Sequence, residues 1–209
     1  MNKLFIIKIG GNVLDNPSAL DLFLKDFTQI KEPKILIHGG GKIATNLGNQ
    51  LGIESNYING RRITDGPTLD LVTMVYGGLV NKQMVAKLQQ LGCNALGLTG
   101  ADGNAIKAVK RPVKDIDYGF VGDIRPDGVN TALLYFLLKQ NTVPVFAPLT
   151  HADGKMLKKI TTASSLYVLL LSFSKKSILP FSSPMKKKIK LITIKITVVG
   201  TTLVFHNNG

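Results

Sequence analysis

Near the start of the chain two short apolar runs each end in bare glycine, and this constrains the fold more than any other feature. Residues 4–9 form a run short enough for one buried strand, followed by Gly10 and Gly11; residues 35–38 form a second, followed by Gly39, Gly40 and Gly41. Between them Asn16 and then Pro17 give a cap followed by a first-turn proline, and Leu20, Phe23, Leu24 and Phe27 recur at three and four residues to make one apolar stripe. Strand, helix, strand in that order is the rhythm that builds a mostly parallel sheet with helices packed on it. The rhythm continues with a helix over 42–51, a long helix over 67–91 whose Leu71, Val75, Leu79 and Leu88 keep helical spacing, strands over 95–99 and 143–147, and a helix over 130–139. Residues 56–64 carry turn residues and two arginines, and 104–124 has the turn-rich look of hairpins. The expected class is α/β, an αβα sandwich around a mostly parallel central sheet.

The net charge of +13 over 209 residues invites a nucleic-acid reading, so its distribution matters more than its sum. Of the 26 Lys and Arg, residues 155–209 hold 10, all lysine, with no acid; the remaining 16 stand with all 13 Asp and Glu in residues 1–154, a balance of +3. The excess belongs to the tail, with lysine clusters at 158–159, 175–176 and 186–188 and an Ile/Lys/Thr alternation over 189–199 that would suit a strand. Without arginine and with few aromatics, this tail is poorly equipped for stacking or base readout, so no nucleic-acid partner is expected. Its longest apolar run, 166–171, is far below the roughly 18 residues of a membrane span. The apolar stretch at the N-terminus is too short for a secretion signal, and one cysteine, Cys93, excludes an internal disulfide framework. A cytoplasmic protein with no membrane partner is expected, its Cys93 buried and inert.

The chemistry-bearing groups gather at the two glycine turns. Lys8 ends the first strand and is followed at once by Gly10 and Gly11, so a cation is delivered beside amides that no side chain shields; in a parallel sheet, ligands bind outside the carboxyl ends of strands. The second turn sharpens the reading, because three consecutive glycines let the main chain approach an anion and the next helix adds its positive end. Neither a Walker motif nor a dinucleotide fingerprint occurs. Arg61 and Arg62 follow Asn59 and Gly60; an arginine fork suits a carboxylate, although a solvated surface pair is commoner. His38, His151 and His206 are scattered without Cys or Glu at ligand spacing, so no zinc site is expected.

Seven strings in order, IIKIGGNVLD (6–15), ILIHGGGK (35–42), NGRRITD (59–65), YGGLVNKQ (76–83), GLTGADG (97–103), GFVGDI (119–124) and PVFAPL (144–149), resemble the amino-acid kinase superfamily and within it the N-acetylglutamate kinases of arginine biosynthesis. The resemblance covers residues 1–157. It implies ATP-dependent phosphorylation of the γ-carboxylate of N-acetyl-L-glutamate, with Mg²⁺ accompanying the nucleotide. By motif, Lys8 would stabilise the transition state, Gly10, Gly11 and Gly39 would lie near the nucleotide phosphates, Gly40 and Gly41 would bind the acylated amino acid, and Arg62 its α-carboxylate. A carboxylate is already anionic, so such an enzyme needs no base, only alignment and cations between two repelling anions.

After Met156 and Leu157, family members read asparagine, any residue, asparagine, alanine, aspartate, where this chain reads Lys158, Lys159, Ile160, Thr161 and Thr162. Residues 158–209 are therefore expected to be an atypical basic tail in place of the nucleotide-binding lobe, with 1–157 as the acyl-amino-acid-binding lobe. An acid-free, lysine-rich tail on a chain shorter than family length is what a frameshift or truncation would leave. Three alternatives stay open: an inactive fragment that self-associates, as a homodimer through helix 67–91; a kinase for another carboxylate or for carbamate; and another N-acyl-glutamate as substrate.

Overall fold

The computed structural model of the chain describes residues 3–159 and 193–199. The lysine clusters at 175–176 and 186–188, the apolar run 166–171 and His206 lie outside the described residues. In chain order the elements are β1 (Lys3–Ile9), α1 (Gly11–Leu14), α2 (Pro17–Gln29), β2 (Lys34–Ile37), α3 (Gly41–Gln50), the hairpin β3 (Tyr57–Ile58) and β4 (Arg61–Arg62), and α4 (Gly66–Val72). A wider helical stretch, Thr73–Val80, runs from α4 into α5 (Asn81–Gln90). Then follow β5 (Ala95–Leu98), β6 (Ile106–Lys110), β7 (Val121–Val129), α6 (Thr131–Lys139), β8 (Val143–Phe146), β9 (Leu149–Ala152), β10 (Lys155–Lys159) and β11 (Thr193–Val199).

Five strands in the order β11-β1-β2-β8-β5, all parallel, form the main sheet. Alternation along β1 and β2 assigns their side chains to two cores. Ile7, Ile9 and Leu36 pack with Leu24 and Phe27 of α2, Leu71 and Val75, and Met84 and Leu88 of α5. Leu4, Ile6, Ile35 and Ile37 face the other way, onto Leu134 and Leu138 of α6 and Ile106 of β6. The result is the expected αβα sandwich. Beside it β6, β7, β10 and β9 close into a small ring, in which the antiparallel pairs β6–β7 and β9–β10 are joined by parallel pairing. The hairpins expected over 104–124 are part of this ring. The Ile/Lys/Thr alternation of 189–199, in which no continuation of the strand–helix rhythm is legible, does supply a strand: β11 pairs parallel with the whole of β1 and extends the main sheet.

Helix starts follow capping chemistry. Asn16 Oδ1 accepts from the amide of Ala19 at 3.1 Å, Asp65 Oδ1 from Thr68 at 2.9 Å and Asn130 Oδ1 from Leu133 at 3.1 Å. The other end of α2 is closed by a buried lysine: Lys34 Nζ donates to the carbonyls of Phe27 at 2.9 Å and Ile30 at 2.7 Å, and lies 4.8 Å from the centroid of the Phe27 ring.

The long helix departs from expectation at one point. Leu71, Val75 and Leu88 are buried as their spacing predicts, but Leu79 is 45% exposed and Val80 is buried in its stead. Hydrogen bonds over Thr73–Val80 span five residues rather than four. Each such turn takes up an extra residue, so the apolar stripe slips by one position. Among the described residues no helix is long and apolar enough to cross a membrane.

Candidate functional site

In the β1–β2 ladder Lys8 stands opposite Ile37. Gly10 follows Lys8 by two residues and Gly39 follows Ile37 by two, so both glycine turns leave the sheet side by side at the carboxyl end of neighbouring strands. Lys8 shares the parity of Leu4 and Ile6 and projects on the α6 side. It is half-buried and makes no hydrogen bond or ion pair among the described residues. Burial holds its pKa below the ordinary lysine value. A desolvated ammonium with no counter-charge among the described residues is a place where an anion is stabilised.

The second turn is pinned on three sides, one glycine at a time. His38, fully buried, places Nδ1 2.7 Å from the carbonyl oxygen of Gly39. Gly40, with φ of 150°, lies on the ring of Tyr76. The carbonyl of Gly41 accepts from Arg62 Nη2 at 3.0 Å. The amides of Gly39, Gly40 and Gly41 have no acceptor among the described residues, and they open the N-terminus of α3. Gly11 is exposed and likewise opens α1. Space above Gly41 is empty: a Cβ placed there would meet nothing within 4 Å.

Arg62 is buried, at 4% exposure, while Arg61 is exposed, so the pair is not the solvated surface pair that is commoner in such turns. Its guanidinium lies over the Tyr57 ring, 4.9 Å from the centroid. Nη2 donates to the Gly41 carbonyl and to Thr45 Oγ1 at 2.7 Å, and Nη1 donates to Ser55 Oγ. Both bidentate faces of a guanidinium use Nη2, and both of its protons are taken. The free carboxylate fork expected at Arg62 is therefore closed in this arrangement. An incoming carboxylate would take a single N–H or exchange with the Thr45 hydroxyl.

The structure thus brings Lys8, Gly10, Gly11, Gly39, Gly40, Gly41 and Arg62 together at the carboxyl end of the sheet. Sequence reasoning missed the residues that hold them there, Tyr76, Asn81, Thr45 and Ser55, and left His38 without a role. Asn81 did carry a signal, since it is an amide three residues ahead of Met84 in an otherwise apolar buried stripe. Tyr76 carried none, because the slip in the wider helix decides which side of it faces inward.

An apolar groove of about 410 Å³ between β1 and α2, lined by Phe5, Ile7, Leu22, Phe23 and Ile30, holds one charged group, Asp26, and is not this site. Among the described residues no group of three or more His, Cys, Asp or Glu side chains could hold a metal ion, so no ligand set for Mg²⁺ is assigned.

The chain matches the Amino acid kinase family over residues 3–169, beyond residue 157, where its motifs stop being legible. The acetylglutamate kinase of Cytophaga hutchinsonii is 58% identical over 174 residues, covering 81% of this chain and 65% of that protein. The acetylglutamate kinase of Phocaeicola vulgatus is 61% identical over 153 residues, covering 73% of this chain and 58% of that protein. The chain so spans 65% and 58% of the length of these two relatives. Among solved structures, the N-acetylglutamate synthase of Neisseria gonorrhoeae in complex with coenzyme A and N-acetyl-glutamate superposes with a TM-score of 0.68 at 24% identity, over 82% of this chain and 39% of that one, a likeness of fold.

Proposed function

The chain belongs to the amino acid kinase family, and from that premise we propose that it carries the acceptor half of an acetylglutamate kinase, which transfers the γ-phosphoryl group of ATP to the γ-carboxylate of N-acetyl-L-glutamate in arginine biosynthesis. One observation carries the proposal: Lys8 is a half-buried ammonium without a partner among the described residues, set beside a turn whose amides are unspent. The acceptor carboxylate is its own nucleophile, so these residues have only to hold two anions in line and neutralise charge as the phosphoryl group moves between them. In this scheme Lys8 faces the transferring group, Gly10, Gly11 and Gly39 lie toward the nucleotide phosphates, and Gly40 and Gly41 bind the acceptor. Arg62 offers one N–H to the acceptor's α-carboxylate while bracing Gly41. Mg²⁺ would enter with the nucleotide and supply further charge neutralisation between the phosphates.

Residues 1–157 serve as the acceptor lobe in this proposal, and residues 158–209 stand where the family places its nucleotide lobe. The outward stripe of the long helix, with Met74 and Leu79 exposed, favours a homodimer through 67–91. The protein would work in the cytoplasm. Calorimetric titration of the full chain with N-acetylglutamate and, separately, with ATP tests the proposal, with N-succinylglutamate as a comparison for the acyl group. Binding of the acylated glutamate without binding of ATP is expected, because residues 158–209 carry no recognisable counterpart of the family's nucleotide-binding lobe. Absence of acceptor binding overturns the proposal, and tight ATP binding overturns its account of the tail. A coupled assay for ADP release separates a kinase, whose turnover disappears in Lys8→Ala, from a self-associating module that dimerises without turnover.

A further inference from the structure

His38 sits between two backbone carbonyls at the ends of one hydrogen-bonded chain. Its Nδ1 is 2.7 Å from Gly39 O; its Nε2 is 3.0 Å from Asn81 Nδ2, which also lies 2.9 Å from Val145 O. A carbonyl oxygen only accepts, and this fixes every proton in the chain. Val145 O takes one proton of the Asn81 amide, which settles which end of that amide is nitrogen. The other Asn81 proton goes to His38 Nε2, so Nε2 holds a lone pair. The imidazole is then neutral and carries its proton on Nδ1, directed at Gly39 O. Burial, which keeps the ring from charging, agrees with this.

A trans peptide is planar, with its C=O and the following N–H on opposite sides. Drawing the Gly39 carbonyl inward onto His38 therefore turns the Gly40 N–H outward, away from the buried ring. That amide belongs to the turn proposed to bind the acceptor, and it has no acceptor among the described residues. We infer that His38 and Asn81 are positioning residues of the acceptor site: Asn81 locks His38 as the Nδ1–H imidazole, and that tautomer aims the Gly40 amide at the ligand. This rests on Gly40 and Gly41 binding the acceptor as proposed above.

One feature of Asn81 has no packing explanation. Its Oδ1 is buried without a hydrogen-bond partner among the described residues, and it lies over Gly97, where even a Cβ would come within 2.0 Å of it. A leucine or methionine would continue the apolar stripe of α5 without leaving a polar atom unsatisfied. The amide is better explained by what it does for His38 than by what it does for the core.

The test uses the full chain labelled with nitrogen-15. Long-range nitrogen–proton spectra at neutral pH are expected to show the His38 ring neutral with its proton on Nδ1. The Nε2–H tautomer or an imidazolium overturns the inference. In His38→Asn the side-chain amide nitrogen stands where Nδ1 stood and still donates to Gly39 O; in His38→Gln the amide reaches the Nε2 position, where its oxygen accepts from the Asn81 N–H and no donor is left for Gly39 O. The Gly40 amide resonance is expected to stay near its wild-type position in His38→Asn and to move in His38→Gln. Affinity for N-acetylglutamate is expected to fall about tenfold more in the Gln variant than in the Asn variant, the size of one lost hydrogen bond. Equal effects from the two variants on the Gly40 amide overturn the inference. If the wild-type chain does not bind N-acetylglutamate, the acceptor assignment fails by itself, while the ring tautomer and the Gly40 resonance still decide the roles of His38 and Asn81.

Discussion

Gly40 lies against the Cδ1–Cε1 side of the Tyr76 ring, so close that a Cβ on Gly40 would come within 2.9 Å of Tyr76 Cδ1. Its φ of 150° is a conformation that residues with side chains rarely adopt. One residue on, Gly41 has neither constraint. Gly40 is therefore required by the fold itself, whereas at Gly41 the fold leaves the space above the backbone open.

Alanine substitution separates them. Gly40→Ala is expected to destabilise the chain by about 1–3 kcal/mol through backbone strain and the clash with an aromatic ring that cannot swing aside. Gly41→Ala is expected to leave stability within about 0.5 kcal/mol, since its methyl group meets nothing. The same methyl group would stand over the opening amides of α3 and lower acceptor affinity about tenfold or more by keeping the ligand from the backbone. Thermal denaturation beside calorimetry reads both effects, and undiminished binding by Gly41→Ala would remove this turn from the site.

Lys8 predicts an opposition between stability and activity. Its ammonium is half-buried with no partner among the described residues, so replacing it by methionine removes a desolvated charge and keeps the packing of the stem. The melting temperature of Lys8→Met is expected to equal or exceed that of the wild type. In any preparation of the wild-type chain that turns over, phosphoryl transfer to N-acetylglutamate, followed as ADP release, is expected to fall by about a hundredfold or more in the variant. A variant that lost stability and kept its turnover would mark Lys8 as a structural residue.

The strands over 4–9, 35–38, 95–99 and 143–147, the start of α2 at Asn16 and both glycine turns were legible in the sequence because local chemistry decides them, whereas β9 and β10 were not. Asn16, Asp65 and Asn130 cap helices through their own neighbours, and β1 and β2 are apolar because both sheet faces are covered. What was not legible depends on distant parts of the chain meeting. Arg62 looked like a surface residue because Ser55, Thr45 and the Gly41 carbonyl, which enclose it, come from other segments. His38 looked like one of three scattered histidines because its partner Asn81 is 43 residues away. Leu79 was placed on one stripe with Leu71, Val75 and Leu88 because spacing assumes four-residue turns throughout, and the wider turns of Thr73–Val80 break that assumption.

The slip exposes Met74, at 55%, and Leu79, at 45%, on the outside of the long helix. A double substitution, Met74→Glu with Leu79→Glu, adds charge there and removes nothing from the core. If the helix pairs two copies of the chain, light scattering is expected to show a dimer for the wild type and a monomer for the variant at the same concentration, with the circular dichroism spectrum unchanged. A wild-type chain that is monomeric at high concentration would dismiss the pairing.

The buried imidazole also predicts how stability depends on pH. Burial pushes the His38 pKa down from 6.5 to about 4. As pH falls below 6.5 the unfolded chain takes up a proton at this residue that the folded chain refuses, so the contribution of His38 is fully present above 6.5 and is lost as pH falls toward 4. The gap corresponds to roughly 3 kcal/mol across that window. Asp65 acts lower: hydrogen bonds from the Thr68 side chain and backbone hold its pKa below the ordinary carboxylate value, so its contribution is present above that value and is lost as pH falls through the folded-state pKa. Urea unfolding at several pH values between 7 and 4 is expected to give a steeper loss of stability for the wild type than for His38→Asn. Asp65→Asn should diverge from the wild-type slope only at the acid end of the series. Parallel slopes for wild type and His38→Asn would mean that His38 titrates as an ordinary exposed histidine, contrary to its place beneath the glycine turn.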